Sequence, residues 1–381
     1  MIIYPKCENL RIAVKGCFMF GILPSEFMFP ENKKMQSAYD VYSNIILVFW
    51  ALFIVTAYIE LYSILNENPI KKDLMSSNLC VTLLHTVTFC RRLIIRIRPS
   101  FKKMIKTIIE DEMKGDRIDD KLIQKLDGEN IENANWKCKI YIYFVMIVNV
   151  SFFTKPIMVG PVEETYGNVA KIFIDAIVVA NSLVVIDSLV ISLILYPSRQ
   201  LKKLDHLLRN FQDLKRKYQT LNAIEDEEAG VFLFFKHLIV RHENIIQYVK
   251  IYNKNLGYPM VLDFIQSSIQ IATVLTQVSG NEITLLLIAF ITMFSISMLL
   301  RLCLYHYHAD ELLILSQKLT HSIWESNWPD ETPKIKFMIL MFITRVQRPL
   351  VFTIGPFGVM SIQSFISILK GTYSYVMLIM T

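Results

Sequence analysis

Apolar residues gather in seven stretches, near 41–62, 76–97, 137–154, 169–197, 258–279, 283–304 and 350–379. A bilayer core needs about 20 apolar residues in helix, so the pattern predicts seven membrane spans. The third is short because Lys137 and Lys139 crowd its start, and the last carries one internal charge, Lys370. Phe337 to Ile343 is apolar but too short to cross. It predicts a cytoplasmic helix leading into the last span. Ile12 to Leu23 is interrupted by Lys15 and followed by Pro24, which predicts a short interfacial helix on the cytoplasmic face rather than a cleavable signal.

The connections are lopsided. Those at 63–75, 155–168 and 280–282 are short, whereas the alternate ones are long and patterned. Leu201 to Phe211 and Phe232 to Ile251 repeat apolar residues at helical spacing between charges. They predict a helical layer built from extensions of spans four to seven, a surface suited to subunit association. Of the 40 Lys and Arg, 35 fall before the first span or in the long connections. Basic residues mark the cytoplasmic side, so the N-terminus is expected inside and, after seven spans, the C-terminus outside. The chain then divides into a cytoplasmic segment (1–40), spans one to four (41–197), a cytoplasmic anchor (198–257), spans five and six (258–304), an anchor helix (305–349) and the last span (350–381).

Composition agrees with a membrane class: 53% hydrophobic, 19% charged and a mean hydropathy of +0.39, more apolar than soluble domains. The six cysteines show no CxxC pair or ligand spacing, so neither a disulfide framework nor a zinc site is expected. The net charge of +6 is modest, and no basic, aromatic-interleaved patch points to nucleic acid. No nucleophilic triad, phosphate loop or cofactor motif is present, so an enzyme is not expected. His306 and His308 lie two apart, pointing different ways on a helix, and with Asp310 and Glu311 they read as structural rather than as metal ligands. The glycosylation sequon at Asn149 falls inside a span and is discounted. Asp187, an acid within a span, is expected to face the bundle interior with a partner, in a structural rather than an ion-binding role. Lys370 either snorkels or lines an inner pore. G-protein-coupled receptors place the N-terminus outside and carry Asp-Arg-Tyr and Asn-Pro-x-x-Tyr motifs that are missing here. No internal symmetry suggests an inverted-repeat transporter.

The last 80 residues carry a more specific pattern. It runs through Leu302-Cys-Leu-Tyr-His-Tyr-His-Ala-Asp-Glu-Leu, then Ser316-Gln-Lys-Leu-Thr-His-Ser-Ile-Trp-Glu-Ser-Asn-Trp, then Phe342-Ile-Thr-Arg-Val-Gln-Arg-Pro-Leu. Gly355-Pro-Phe-Gly-Val-Met-Ser, Phe365-Ile-Ser-Ile-Leu-Lys and Thr372-Tyr-Ser-Tyr follow. This resembles the C-terminal region of insect odorant receptors. Val185-Ile-Asp-Ser-Leu resembles the family's fourth span, and Lys15-Gly-Cys-Phe-Met-Phe-Gly-Ile-Leu-Pro is a weaker echo. Related gustatory receptors end in Thr-Tyr, five apolar residues and Gln-Phe, which this chain lacks. It is also shorter than the odorant co-receptor, which has a large insertion between spans four and five. A ligand-selecting receptor fits better than the co-receptor.

The resemblance implies an all-α membrane protein acting as an odorant-gated, non-selective cation channel subunit in the plasma membrane of a sensory neuron. Its partners would be co-receptor subunits in a heterotetramer, a small volatile organic ligand and the bilayer. A gustatory-type channel without the co-receptor and a seven-span transporter are the alternatives. The ligand site is expected at Val81, Leu84 and His85 on span two, Val148, Ser151 and Phe152 on span three, Ile177, Ala180, Asn181 and Val184 on span four, and Leu287 and Phe290 on span six. Apolar walls suit a volatile ligand. Ser151, Asn181 and His85 either orient a carbonyl or hydroxyl or bond neighbouring helices. On the last helix Thr372, Val376 and Met380 recur every four residues and share a face. The resemblance places a hydrophobic gate at Val376 and Met380, with Ile379 beside it; the other reading is contact with lipid or a neighbouring helix.

Overall fold

The computed structural model describes residues 8–67, 72–114, 121–159, 181–280 and 285–380. It is all-α, and among the described residues the only β pairing is an isolated bridge between Thr353 and Val359. In chain order the helices are α1 (Arg11–Met19), α2 (Ser25–Met28), α3 (Lys33–Leu65), α4 (Lys72–Ile97), α5 (Pro99–Lys114), α6 (Lys121–Val159) and α7 (Asn181–Arg209). After these come α8 (Phe211–Leu221), α9 (Glu227–Gly280), α10 (Leu285–Trp324), α11 (Pro333–Val346) and α12 (Ile362–Met380).

Two helices define inside and outside. Both α3 and α7 hold an apolar stretch long enough to cross a membrane, yet the stretch in α7 is 94% buried by protein and that in α3 only 11%. Val41, Ile45, Val48, Phe49, Leu52, Val55, Ile59 and Tyr62 of α3 point outward. Such a continuous apolar face is incompatible with water and suits hydrocarbon. In contrast, α7 is the hub, packed by α1, α6, α9 and α10. Two of its serines are satisfied within the helix: Ser188 and Ser192 each donate to the carbonyl four residues back.

Long helices join spans to their inner extensions. Helix α9 runs unbroken for 54 residues and α10 for 40, so the anchor expected at 198–257 continues directly into span five. The third span is likewise part of a 39-residue helix; Lys137 and Lys139 interrupt the hydropathy but not the backbone. The first span begins at Lys33, capped by the Asn32 side chain accepting from the Met35 N–H at 3.2 Å, so the boundary drawn at 40 falls inside a helix.

Two expectations need correcting. The stretch from Leu350 to Ser361 is not helix: the last span starts at Ile362. Pro349 follows the end of α11, and Gly355 adopts φ +50° and Gly358 φ +149°. These conformations break a helix whatever the local hydropathy. The segment is instead clamped to α9. Asn253 Nδ2 donates to the Val351 carbonyl and its Oδ1 accepts from the Thr353 N–H, both at 3.0 Å. A Cβ on Gly355 would lie 2.7 Å from Val261 Cγ2, so the close approach needs glycine.

The second correction concerns the N-terminus. Helix α1 lies against α7 and α6, with Ala13, Val14 and Cys17 buried, so its apolar face meets protein rather than a membrane surface. Gly16 makes this possible: a Cβ there would sit 2.8 Å from Val185 Cγ2. Gly16→Val should therefore destabilise the fold by about 1–3 kcal/mol, read as a lower melting temperature of the purified protein. Val185→Ala should recover part of that loss in the double variant but not by itself.

Candidate functional site

Four charged residues inside the spans converge on one buried cluster. Asp187 of α7 accepts from Arg91 Nη1 of α4 at 2.8 Å and from the Tyr305 hydroxyl of α10 at 2.8 Å, both on Oδ1. Its Oδ2 accepts from the Tyr141 hydroxyl of α6 at 2.9 Å. Asp263 of α9 pairs through Oδ1 with Arg91 Nη2 and Arg301 Nη1, each at 2.7 Å. Arg301 Nη2 also donates to Ser267 Oγ at 2.7 Å, and its Nη1 lies 3.7 Å from Asp187 Oδ2. The four charged side chains are 0–3% exposed.

Two cations and two anions balance, which is what makes the burial tolerable. Each ion loses several kcal/mol of hydration, and only close pairing with further hydrogen bonds offsets it. The cluster draws on α4, α6, α7, α9 and α10 at one depth. Asp187 was legible from sequence as an acid seeking a partner. Arg91, Asp263 and Arg301 were missed: Arg91 and Arg301 were assigned to cytoplasmic connections by charge counting. The signal available was the same one, a charge within a predicted apolar stretch.

A second polar layer joins the inner extensions. Glu311 of α10 accepts from Lys202 Nζ of α7 at 2.6 Å and lies 3.0 Å from His308 Nδ1. Burial raises the Glu311 carboxyl, but the bonds from His308 and Lys202 outweigh it and hold the group at about 2, so it is ionised at neutral pH. Lys203 meets Asp127 of α6 at 2.5 Å. Asp111 of α5 accepts from the Tyr196 hydroxyl at 3.0 Å and from Gln200 Nε2 at 2.6 Å. His308 and Glu311 thus bind protein partners, and among the described residues no group of His, Cys, Asp and Glu is arranged to hold a metal ion.

The expected ligand residues are only partly placed. Val81 and Leu84 are half-buried on α4. His85 is buried, with its ring edge-on to Phe53 of α3 at a centroid distance of 4.9 Å. Val148 and Val184 are buried, and Asn181 is half-buried at the start of α7. Ile177 and Ala180 lie outside the described residues, as do the side chains of Ser151, Phe152, Leu287 and Phe290. A small cavity does open between α9, α10 and the segment before α12, lined by Met260, Asp263, Tyr305, His306, Ile354 and Met360 among others. None of the expected ligand residues lines it.

On α12, Thr372 is turned into its own bundle, buried and donating to the Ile368 carbonyl at 2.9 Å. It therefore does not present its side chain on the exposed face of the helix. The side chains of Val376, Ile379 and Met380 lie outside the described residues. Opposite Ile368 and Thr372 the helix exposes Gln363, Ser367, Lys370 and Ser374, spaced to share one face.

Comparison with known proteins gives the same picture. A family model described as 7tm Odorant receptor matches residues 73–373. Odorant receptor Or2 of Anopheles gambiae is 26% identical over 163 residues, 42% of this chain and 43% of that protein. Odorant receptor 10 of Aedes albopictus is 26% identical over 190 residues, 49% of this chain and 48% of that protein. The chain thus aligns with less than half the length of these two relatives. The fold is similar over nearly the full length to the insect olfactory receptor OR5 from Machilis hrabei, solved in complex with eugenol. The TM-score is 0.73 at 16% identity, covering 99% of this chain and 97% of that one.

Removing one member of the charge cluster should be costly. Asp187→Ala leaves Arg91 and Arg301 sharing a single acid and strands two tyrosine hydroxyls, at an expected cost of about 3–5 kcal/mol. Surface expression and the melting temperature of the solubilised protein should both fall sharply; an unchanged melting temperature would show that the cluster does not hold the bundle.

Proposed function

The chain belongs to the seven-transmembrane odorant receptor family, and on that premise we propose that it is a ligand-selecting subunit of an odorant-gated, non-selective cation channel. It is a multi-pass membrane receptor, not an enzyme. In this reading it binds a small volatile organic molecule within the bundle and shares a pore with co-receptor subunits in a heterotetramer, in the plasma membrane of a sensory neuron.

The observation that carries the reading is the last helix. Gln363, Ser367, Lys370 and Ser374 form an exposed polar stripe along α12. A lysine within a span facing hydrocarbon costs about 2.5–3.5 kcal/mol. Such a stripe belongs against water or another subunit, which favours assembly over a lone monomer in lipid. The inner layer supports this as well. Trp324, Phe337, Leu340 and Met341 are exposed there, and an apolar patch facing the cytoplasm suits subunit association.

The ligand site belongs in the outer part of the bundle between spans two, three, four and six, at the residues named from sequence. Ile379 would flank a gate formed by Val376 and Met380. Apolar rings at such a constriction close a pore by dewetting. The gustatory-type and transporter readings predict different currents.

Expressed alone, the chain should give little current; with the odorant co-receptor it should give cation current evoked by volatile ligands. Robust current from the chain alone would favour the gustatory-type reading, and substrate uptake without current would sink the channel. A panel of esters, alcohols, aldehydes and terpenes screened by calcium entry would find the ligand. Val376→Ser or Met380→Ser should raise basal current or change ion selectivity in the heteromer. If both variants behave as the parent, neither residue lines the pore.

A further inference from the structure

Beside the charge cluster is a polar group with no hydrogen-bonding partner among the described residues. His306, one residue after the Tyr305 that serves Asp187, is 3% exposed, and neither ring nitrogen finds a hydrogen-bonding partner among the described residues. Buried polar atoms left unpaired cost about 1–3 kcal/mol each, so a buried imidazole with two bare nitrogens calls for a ligand. The same cavity wall includes Asp263. The closest contact of each guanidinium with Asp263 falls on Oδ1. The cavity measures about 10 Å³, room for about one water molecule.

The geometry points to a structural water held between Asp263 Oδ2 and His306. A neutral imidazole has one donor and one acceptor nitrogen, and a water satisfies either while donating a proton to the carboxylate. Apolar ligands are disfavoured by the bare polar atoms, and a cation by the two guanidiniums already on Asp263.

The site has a place in the architecture that the direct contacts do not supply. Its remaining walls include Ile354 and Met360, from the clamped segment that delivers the chain to α12. The His306 ring also packs against Phe365 on the first turns of α12, at a centroid distance of 6.0 Å. The water therefore joins the charge cluster on one side to the root of the last helix on the other, with His306 as the positioning residue between them. This holds whether or not the subunit conducts.

The test is a map of the full-length chain in lipid nanodiscs, fine enough to show ordered water. The expected result is one isolated density within about 2.7–3.2 Å of Asp263 Oδ2 and a His306 ring nitrogen. Ordered side chains with no density between them, or a direct His306–Asp263 hydrogen bond, would overturn the inference. In His306→Phe the density should disappear while Arg91, Asp263 and Arg301 keep their places. Persistence of the density in that variant would equally overturn it, because His306 would then not be its ligand. The co-receptor current of the parent chain is a separate readout, so failure of the channel reading and failure of the water site are told apart.

Discussion

Four charges that cannot be buried separately govern this structure. Asp187 without Arg91, or Arg301 without Asp263, is an unpaired ion in a medium that hydrates nothing, a penalty of several kcal/mol. The four residues come from α4, α7, α9 and α10, and Tyr141 brings in α6. Satisfying all of them requires five helices to cross at one depth and in one rotational setting. Hydrophobic contact alone does not impose that, because lipid tails are as good a neighbour for leucine as another helix is. Helix α3 contributes no charge to the cluster and correspondingly stands at the edge with its apolar face outward.

How far the sequence reveals this depends on what hydropathy measures. It reports the cost of transfer to hydrocarbon, so it locates the apolar stretches well; it does not report backbone continuity. Lys137 and Lys139 therefore shortened the expected third span although α6 runs through them, and Leu350 to Ser361 read as span although its glycines demand positive φ. Charge counting has the same limit. It assumes that arginine lies in water, and Arg91 and Arg301 do not. Helix α1 failed for a further reason. Its covering partner, Val185, is some 170 residues away in sequence, and the fit rests on the missing side chain of Gly16.

Site residues were legible as faces but not as neighbours. Spacing groups Thr372 with Val376 and Met380, yet it says nothing about which side of the helix the rest of the bundle occupies; burial of Thr372 against α9 and α10 answers that for one of the three. His85 was read as either orienting a ligand group or bonding a neighbouring helix, and spacing did not reveal that its ring packs edge-on to Phe53 of α3. The family pattern in the last 80 residues fared better because much of it is mechanical. The glycines at 355 and 358 permit the turn, and Pro349 helps end the preceding helix. These are requirements on the backbone, which the residues carry even where hydropathy reads the stretch as span.

Helix α9 concentrates the consequences. Within a few turns it holds the segment before α12 through Asn253, admits Gly355 beside Gly257, and supplies Asp263 to the charge cluster. Sliding α9 against α4 or α10 would stretch ion pairs of 2.7 Å, and packed interfaces of this kind switch between discrete arrangements rather than deforming continuously. A motion that keeps the four charges together leaves α12 rooted to that core through the clamped segment. The junction at Asn253, Gly355 and His306 is therefore the joint between the core and α12, and the ion cluster gives that joint a rigid base.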